Sequence, residues 1–404
     1  MYTEAGTWDM VRKILHFDLD AFFCAVEAQR DASLRGKAFA VGGRPDQRGV
    51  VASCSYPARR FGVRSAMPMA TALRLCPDLI IVPHDHAAYH EASHAVMARL
   101  RDLTPLVEQL SIDEAFLDVS MLPQAVETVA RRLQATINDE LRLPCSLGAA
   151  TNKLVAKIAN NVGKAGAQGD DPPNAIKVVP PGQEATFLAP LPITDLWGVG
   201  PKTAEKLIEL GMHTIGDVAL WPEDDLIRRF GKHGRDLARH ARGIDERPVE
   251  PVHEAKSISK ETTFARDVRD GAKLRRVLRR LAEGVGRQVR QSGLRGATVK
   301  LKLRWADFTT LTRQVTLEHP TDQDAEICAA ALRLFEQNWP EGRPVRLIGV
   351  GVSGFEDPQA EAPHRQLGLW DDVDEIEQAR RLQAALDELR DRFGDEAIQR
   401  GSDL

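Results

Sequence analysis

The chain has 404 residues, 43% apolar and 28% charged, which fits two to four ordinary globular domains and excludes a disordered or fibrous protein. No run approaches the roughly 20 apolar residues of a membrane span, the first residues lack a signal peptide's apolar core, and five cysteines without C-x-x-C spacing read as reduced thiols of a cytoplasmic protein. The net charge of −4 hides an asymmetry: residues 251–352 carry 19 Lys/Arg against 12 Asp/Glu, whereas 355–404 carry 6 against 14, so an acidic tail masks a basic body suited to phosphate backbones.

Residues 13–18 form the first predicted strand, an apolar run (Ile14-Leu15-His16-Phe17) that breaks at Asp18-Leu19-Asp20. Ala21 to Glu27 opens a helix with Phe22 and Phe23 one turn from those carboxylates. A hairpin-like pair of strands spans 39–54 around Gly42-Gly43, and Pro57 and Gly62 bracket a short helix carrying Tyr56 and Arg59 on one face. That pair reads either as surface charge on a short helix or as a clamp on phosphate oxygens. Residues 84–101 form an amphipathic helix. Its His86, His90 and His94 share a stripe but have no second ligand motif, so we read them as a solvated face.

The next predicted strand runs from Val107 to Val119 and carries Asp113 and Glu114 in its apolar pattern, after Ser111-Ile112. Unpaired carboxylates in buried strands cost several kcal/mol. Two such places, almost a hundred residues apart, therefore point to a shared cation, and oxygen-only donors favour Mg²⁺ over Zn²⁺. A helix over 123–141, a strand over 144–151 and a helix over 152–162 complete a βαββαβ-like order, that of a ferredoxin-like sheet with helices on one face. Lys164 follows, then a Gly/Ala/Asp/Pro-rich loop over 165–174.

Trp197-Gly198-Val199-Gly200-Pro201-Lys202 opens a helix from a tight turn, and a second Gly-closed helix follows at 210–218. This is a helix-hairpin-helix pattern whose free N–H groups suit a DNA phosphate. A helix over 225–247 leads to a linker marked by Pro248 and Pro251. From Ser257 a second α+β unit has strands at 257–264, 295–304, 311–317 and 344–351 and helices at 272–291 and 322–338. Lys300, Lys302 and Arg304 alternate with Val299, Leu301 and Leu303, which sets the basic residues on one sheet face for DNA. The tail holds Gln366-Leu367-Gly368-Leu369-Trp370 and an amphipathic helix with Leu382, Leu386, Leu389 and Phe393 on one side. The pentapeptide reads as a docking patch on the chain's own surface or as a linear motif for a partner's pocket.

Taken together, Phe17-Asp18-Leu19-Asp20-Ala21-Phe22-Phe23, Ser53-x-x-Tyr56-x-x-Arg59, Ser111-Ile112-Asp113-Glu114, Asn152-Lys153-x-x-Ala156-Lys157 and Trp197-Gly198-Val199-Gly200 resemble the signatures of Y-family translesion DNA polymerases, bacterial DNA polymerase IV class. The resemblance implies an α+β multidomain fold: a ferredoxin-like palm (1–21 and 85–180), small fingers (22–84), a helical helix-hairpin-helix thumb (181–248), a four-stranded α+β little finger (252–353) and an acidic tail (354–404). It implies low-fidelity, template-directed dNTP addition past damaged bases, with Asp18, Asp113, Glu114 and the Leu19 carbonyl on two Mg²⁺ ions. Phe22, Phe23, Ser53, Tyr56, Arg59 and Lys164 would bind the nucleotide, with Phe23 as steric gate against ribose. Asp20 would be structural.

The resemblance further implies that Gly198, Gly200, Lys202, Lys300, Lys302 and Arg304 contact primer-template DNA, and that Gln366, Leu367, Leu369 and Trp370 contact a sliding clamp. A cytoplasmic monomer with no membrane partner is expected. Lys164 is followed here by Ala-Gly-Ala-Gln-Gly-Asp-Asp-Pro-Pro where the family usually has Pro-x-Gly, and 34 residues follow Trp370. A nucleotide cyclase would share the palm and its two metals but would need neither the Gly198 hairpin nor the basic sheet. A non-catalytic DNA-binding scaffold would tolerate a lost carboxylate.

Overall fold

The computed structural model describes residues 11–166, 169, 171–252, 254–356 and 373–394, and divides the chain into two compact units at His253/Glu254. In the first unit, β1 (Ile14–Leu19) leads through Asp20 and Ala21 into α1 (Phe22–Arg30). A three-stranded sheet follows, built from β2 (Phe39–Gly42), β3 (Val51–Cys54) and β4 (Ile80–Val82), with α2 (Tyr56–Arg60) and α3 (Met69–Leu75) between the last two. β2 and β3 are antiparallel, as the hairpin-like pattern predicts.

The chain then makes α4 (His86–Leu103), β5 (Val107–Gln109), β6 (Glu114–Asp118), α5 (Val126–Leu141), β7 (Cys145–Ala150), α6 (Lys153–Ala165) and β8 (Ile176–Val178). The predicted single strand over 107–119 is thus a hairpin, its turn at Leu110–Asp113, because Leu110 and Ser111 N–H both return to the Glu114 carbonyl. The sheet order is β5-β6-β1-β7-β8, with β1 central and antiparallel to β6 and β7. Leu15, Phe17, Leu117 and Leu147 face Met97, Leu100, Leu133 and Ile137 of α4 and α5. His16 and Gly148, side by side in the register, face α6. Helices therefore cover both faces of this sheet, not one. The close seat of α6 requires Gly148: a Cβ there would stand 2.0 Å from the Ala156 carbonyl oxygen.

Helices α7 (Glu184–Leu188), α8 (Pro201–Glu209), α9 (Ile215–Leu220), α10 (Glu223–Phe230) and α11 (Lys232–Ala241) share a core with the α6 side of the sheet. The helix predicted over 225–247 is two, broken at Gly231, whose φ of +62° a side chain would resist.

The second unit has β9 (Ser257–Val268), α12 (Gly271–Gln291), β10 (Gly296–Trp305), β11 (Thr310–Thr321), α13 (Asp324–Asn338), β12 (Val345–Phe355) and α14 (Val373–Phe393). Its antiparallel sheet runs β11-β10-β12-β9, with Val299, Leu301 and Leu303 packed against α12 and α13. Arg290 of α12 grips Asp387 of α14 with two hydrogen bonds of 2.7 and 3.1 Å. α14 docks through this polar face, leaving Leu382, Leu389 and Phe393 exposed. Among the described residues no helix is long and apolar enough to cross a membrane.

Candidate active site

β1 and β6 bring the distant acids together. Asp18 is the register partner of Glu114, and Leu19 N–H donates to the Asp113 carbonyl at 3.0 Å. Ser111 caps the turn, donating to Asp113 Oδ1 at 2.5 Å and accepting from Glu114 N–H at 3.1 Å. Asp18, the Leu19 backbone, Asp113, Phe22, Phe23, Ser53, Tyr56, Arg59 and Lys164 border one cleft, which Ala52 and Ser65 also line. Glu114 is turned away from that cleft, toward α6.

One face of α6 supplies cations to the sheet. Lys153 donates to Glu108 at 2.7 and 3.0 Å in a buried pair, and Lys157 donates to both Glu114 oxygens at 2.7 and 2.9 Å. Lys164 bonds Asp18 and reaches Asp20 at 3.1 Å. It lies in the last turn of α6, which runs on to Ala165 beyond the predicted end. Asp20, fully buried, also accepts from Ser146 Oγ at 2.8 Å and Asn174 N–H at 3.0 Å, a structural set of partners. Asn160, between the last two lysines, donates to His16 Nδ1 at 2.9 Å, which leaves the Nε2 proton to face Glu114 at 3.5 Å.

The electrostatics separate the two acids. Burial raises the Asp18 carboxyl to about 6 despite Lys164, with Asp113 and Glu114 adding to the rise. Burial acts the same way on Glu114, but hydrogen bonds from His16 and Lys157 outweigh it and hold that carboxyl at about 2. Burial lowers His16 to about 4, so it is neutral at physiological pH. Burial also works against the Lys164 ammonium, yet Asp18 and Asp20 raise it above the ordinary lysine range. Among the described residues no three His, Cys, Asp or Glu side chains converge as a metal-holding group. The donor chemistry nonetheless fits a hard divalent cation: hard oxygen atoms border the cleft, and the raised Asp18 carboxyl is short of positive charge.

The rest of the cleft suits a polyanion beside an aromatic wall. Ala21 adopts a left-handed conformation (φ 48°) and α1 starts without a side-chain cap, so its first N–H groups face the cleft unspent. Arg59 lies 4.3 Å over the Tyr56 ring, so the two share a face. Phe23 stacks on Tyr89 at 4.3 Å, which fixes its plane, while Phe22 is buried. His86, His90 and His94 are exposed.

Gly198 has a φ of +99° and Gly200 precedes α8, with open space where a Cβ would stand on either; Lys202 is exposed. In the second unit Lys300, Lys302 and Arg304 share the sheet face away from the helices. Lys300 and Lys302 stand opposite Gly351 and Gly349, which leaves that face shallow. Lys302 is paired with Glu261 at 2.7 Å and Arg304 donates to Thr310 Oγ1 at 2.8 Å. Residues 366–370 lie outside the described residues.

His16 and Lys157 are functional candidates that the strand and helix patterns do not single out. The available signals are a histidine two residues before Asp18, on its face of the strand, and the spacing of Lys153, Lys157 and Lys164 along one helix stripe.

Three family profiles match: the impB/mucB/samB family over residues 17–161, its C-terminal domain over 255–369, and the IMS family HHH motif over 181–212. The chain is 43% identical over 390 residues to a protein named DNA polymerase IV from Desulfatibacillum aliphaticivorans, covering 96% of this chain and 95% of the relative. It is 41% identical over 351 residues to one of the same name from Listeria monocytogenes, covering 86% and 96%. Among solved structures it resembles a Y-family DNA polymerase chimera, Dbh-Dpo4(243-245)-Dbh, at TM-score 0.73 and 25% identity, covering 84% of this chain and 98% of that one. It also resembles DinB from Sulfolobus solfataricus, at TM-score 0.59 and 26% identity over the same shares.

Proposed function

The chain belongs to the impB/mucB/samB family of Y-family DNA polymerases, in the DNA polymerase IV class, and we propose that Asp18, Asp113 and Glu114 are the carboxylates of its nucleotidyl transfer. It is a template-directed translesion DNA polymerase that extends a primer 3′-hydroxyl with dNTPs, and neither a cyclase nor a non-catalytic scaffold. The observation that carries the site assignment is the pairing of Asp18 with Glu114 on adjacent strands, beside Asp113, at a cleft lined by Tyr56, Arg59 and Lys164.

The protein groups divide the work. Tyr56, Arg59, Lys164 and the unspent N–H groups of Phe22 and Phe23 would hold and orient the triphosphate, so that the reacting phosphorus faces the primer end. Phe23, fixed by Tyr89, would meet a ribose 2′-hydroxyl as a steric gate, and Ser53 would line the nucleotide pocket. Asp18, Asp113 and the Leu19 carbonyl at the cleft, with Glu114 once it exchanges Lys157 for metal, would hold two Mg²⁺ ions, whose chemistry when bound is to activate the 3′-hydroxyl and neutralise charge on the phosphates. Lys157 and His16 would keep Glu114 ionised and oriented. Gly198, Gly200 and Lys202 would meet a DNA phosphate, and Lys300, Lys302 and Arg304 the duplex backbone. Gln366, Leu367, Leu369 and Trp370 would bind a sliding clamp.

The test is primer extension on intact and damaged templates by Asp113→Ala and Glu114→Ala. Extension falls by about a thousand-fold or more while DNA binding stays near wild type. Extension within about ten-fold of wild type by either variant would exclude it from the site.

A further inference from the structure

Behind α1, on the other side from the catalytic cleft, lies a second cavity of about 470 Å³ between the two sheets' flanking segments. Its walls are apolar: Ala25, Ala28, Leu34, Phe39, Pro57 and Pro144. Several of the polar groups that line it are already engaged, among them buried Ser55 and exposed Gln29. Ser55 Oγ donates to the Lys37 carbonyl and accepts from Phe39 N–H, both at 3.0 Å, and the Gln29 amide nitrogen donates to the Leu141 and Arg142 carbonyls. Asp20 is held by Ser146, Asn174 and Lys164. A guest in this space would thus gain from apolar contact and find few polar partners in the wall.

The rim is different. Arg35, Lys37 and Arg142 are exposed at the edge of the cavity, and none has an ion-pair partner among the described residues; the Arg35 Nε–H is spent on the Ala28 carbonyl at 3.2 Å. Asp171 is the exposed carboxylate that lines the same space, so the rim keeps an excess of positive charge. An apolar slot of this volume with a cationic edge is complementary to a flat ring system bearing one anionic group.

Two residues connect this cavity with the catalytic cleft. Ala21 and Tyr56 line both, so a guest would press on the tyrosine whose ring lies under Arg59. We propose that this cavity binds a small amphipathic anion, an aromatic carboxylate, sulfonate or phosphate, and that its occupancy weakens binding of the incoming nucleotide through Tyr56. The coupling rests on the reading of Tyr56 as a triphosphate contact; the binding does not.

The probe is 8-anilinonaphthalene-1-sulfonate, titrated into the full chain by fluorescence, with the KM for a dNTP measured alongside. Wild type should bind it saturably at one site, and Ala28→Trp, which fills the slot from the far end of α1, should abolish that binding. Arg35→Gln with Arg142→Gln, two surface changes, should weaken it by about ten-fold. The bound probe should raise the KM several-fold in wild type and leave it unchanged in Ala28→Trp.

Undiminished binding in a folded Ala28→Trp, or in the double variant, would overturn the site. Site-specific binding without a KM change would overturn the coupling alone. A wild-type protein that incorporates no nucleotide would refute the polymerase reading, and the fluorescence result would still decide the site.

Discussion

His16 gives the sharpest physical prediction, because its burial makes a proton costly. The folded protein holds it at about 4 against 6.5 in a free chain, so the unfolded state binds the extra proton in between. Stability from this group is complete above the unfolded value and is lost as the pH falls toward the folded one. At 1.36 kcal/mol per unit the whole effect is about 3 kcal/mol, of which about 2 kcal/mol disappears between pH 7 and pH 5. Glu114, lowered from 4.5 to about 2, loses its contribution below that window. Asp18 acts in the opposite sense, since its raised carboxyl makes the folded state the better proton acceptor as the pH falls through 6. The wild-type slope is therefore a sum of opposed effects, and a double difference is needed. Urea unfolding of wild type and His16→Gln at both pH values supplies it. The variant is less stable at pH 7, having lost the fit to Asn160, but it should lose about 2 kcal/mol less on going to pH 5. Equal losses in the two proteins, within about 0.5 kcal/mol, would refute the claim that His16 is neutral in the fold.

Phe23→Ala removes the ring that stacks on Tyr89 and should lower discrimination against ribonucleotides by about 10–100-fold in single-nucleotide insertion kinetics. Gly148→Ala puts a methyl 2.0 Å from the Ala156 carbonyl, so α6 must move off the sheet; a destabilisation of about 3 kcal/mol or more should appear in thermal unfolding, with extension lost in parallel. Deleting residues 366–370 should leave distributive extension intact and lower only the stimulation by a loaded clamp, as a primer-extension assay with and without clamp would show.

Much of the site is legible in the sequence because strands advertise misplaced charge. Asp18 interrupts an apolar run and Glu114 stands at the head of one, and their pairing follows once the two strands are neighbours. The Gly198 turn is legible for a similar local reason, since a φ of +99° suits glycine. The turn that separates β5 from β6 is less so: Leu110 and Ile112 continue the apolar alternation, and only backbone bonds to the Glu114 carbonyl reveal the reversal. The placement of α6 is hidden as well. Gly148 in a strand could mark a bulge as easily as a close helix, and the lysines of α6 look like a solvated stripe until Glu108, Glu114 and Asp18 are set beneath them. Cross-element ion pairs leave no periodic trace.

That lysine stripe offsets the charge of the acids gathered on the sheet. Buried carboxylates on adjacent strands would repel one another and cost several kcal/mol each if unpaired. Here α6 meets them in order, Lys153 on Glu108, Lys157 on Glu114 and Lys164 on Asp18 and Asp20. The pairs are not equivalent. Glu114, at about 2, is strongly held as an anion, whereas Asp18, at about 6, remains under-compensated even with Lys164 against it. A further positive charge entering the cleft therefore gains most at Asp18. On the proposed reading of Lys164 as a triphosphate contact, a cation on Asp18 would favour nucleotide binding, because it would free that lysine.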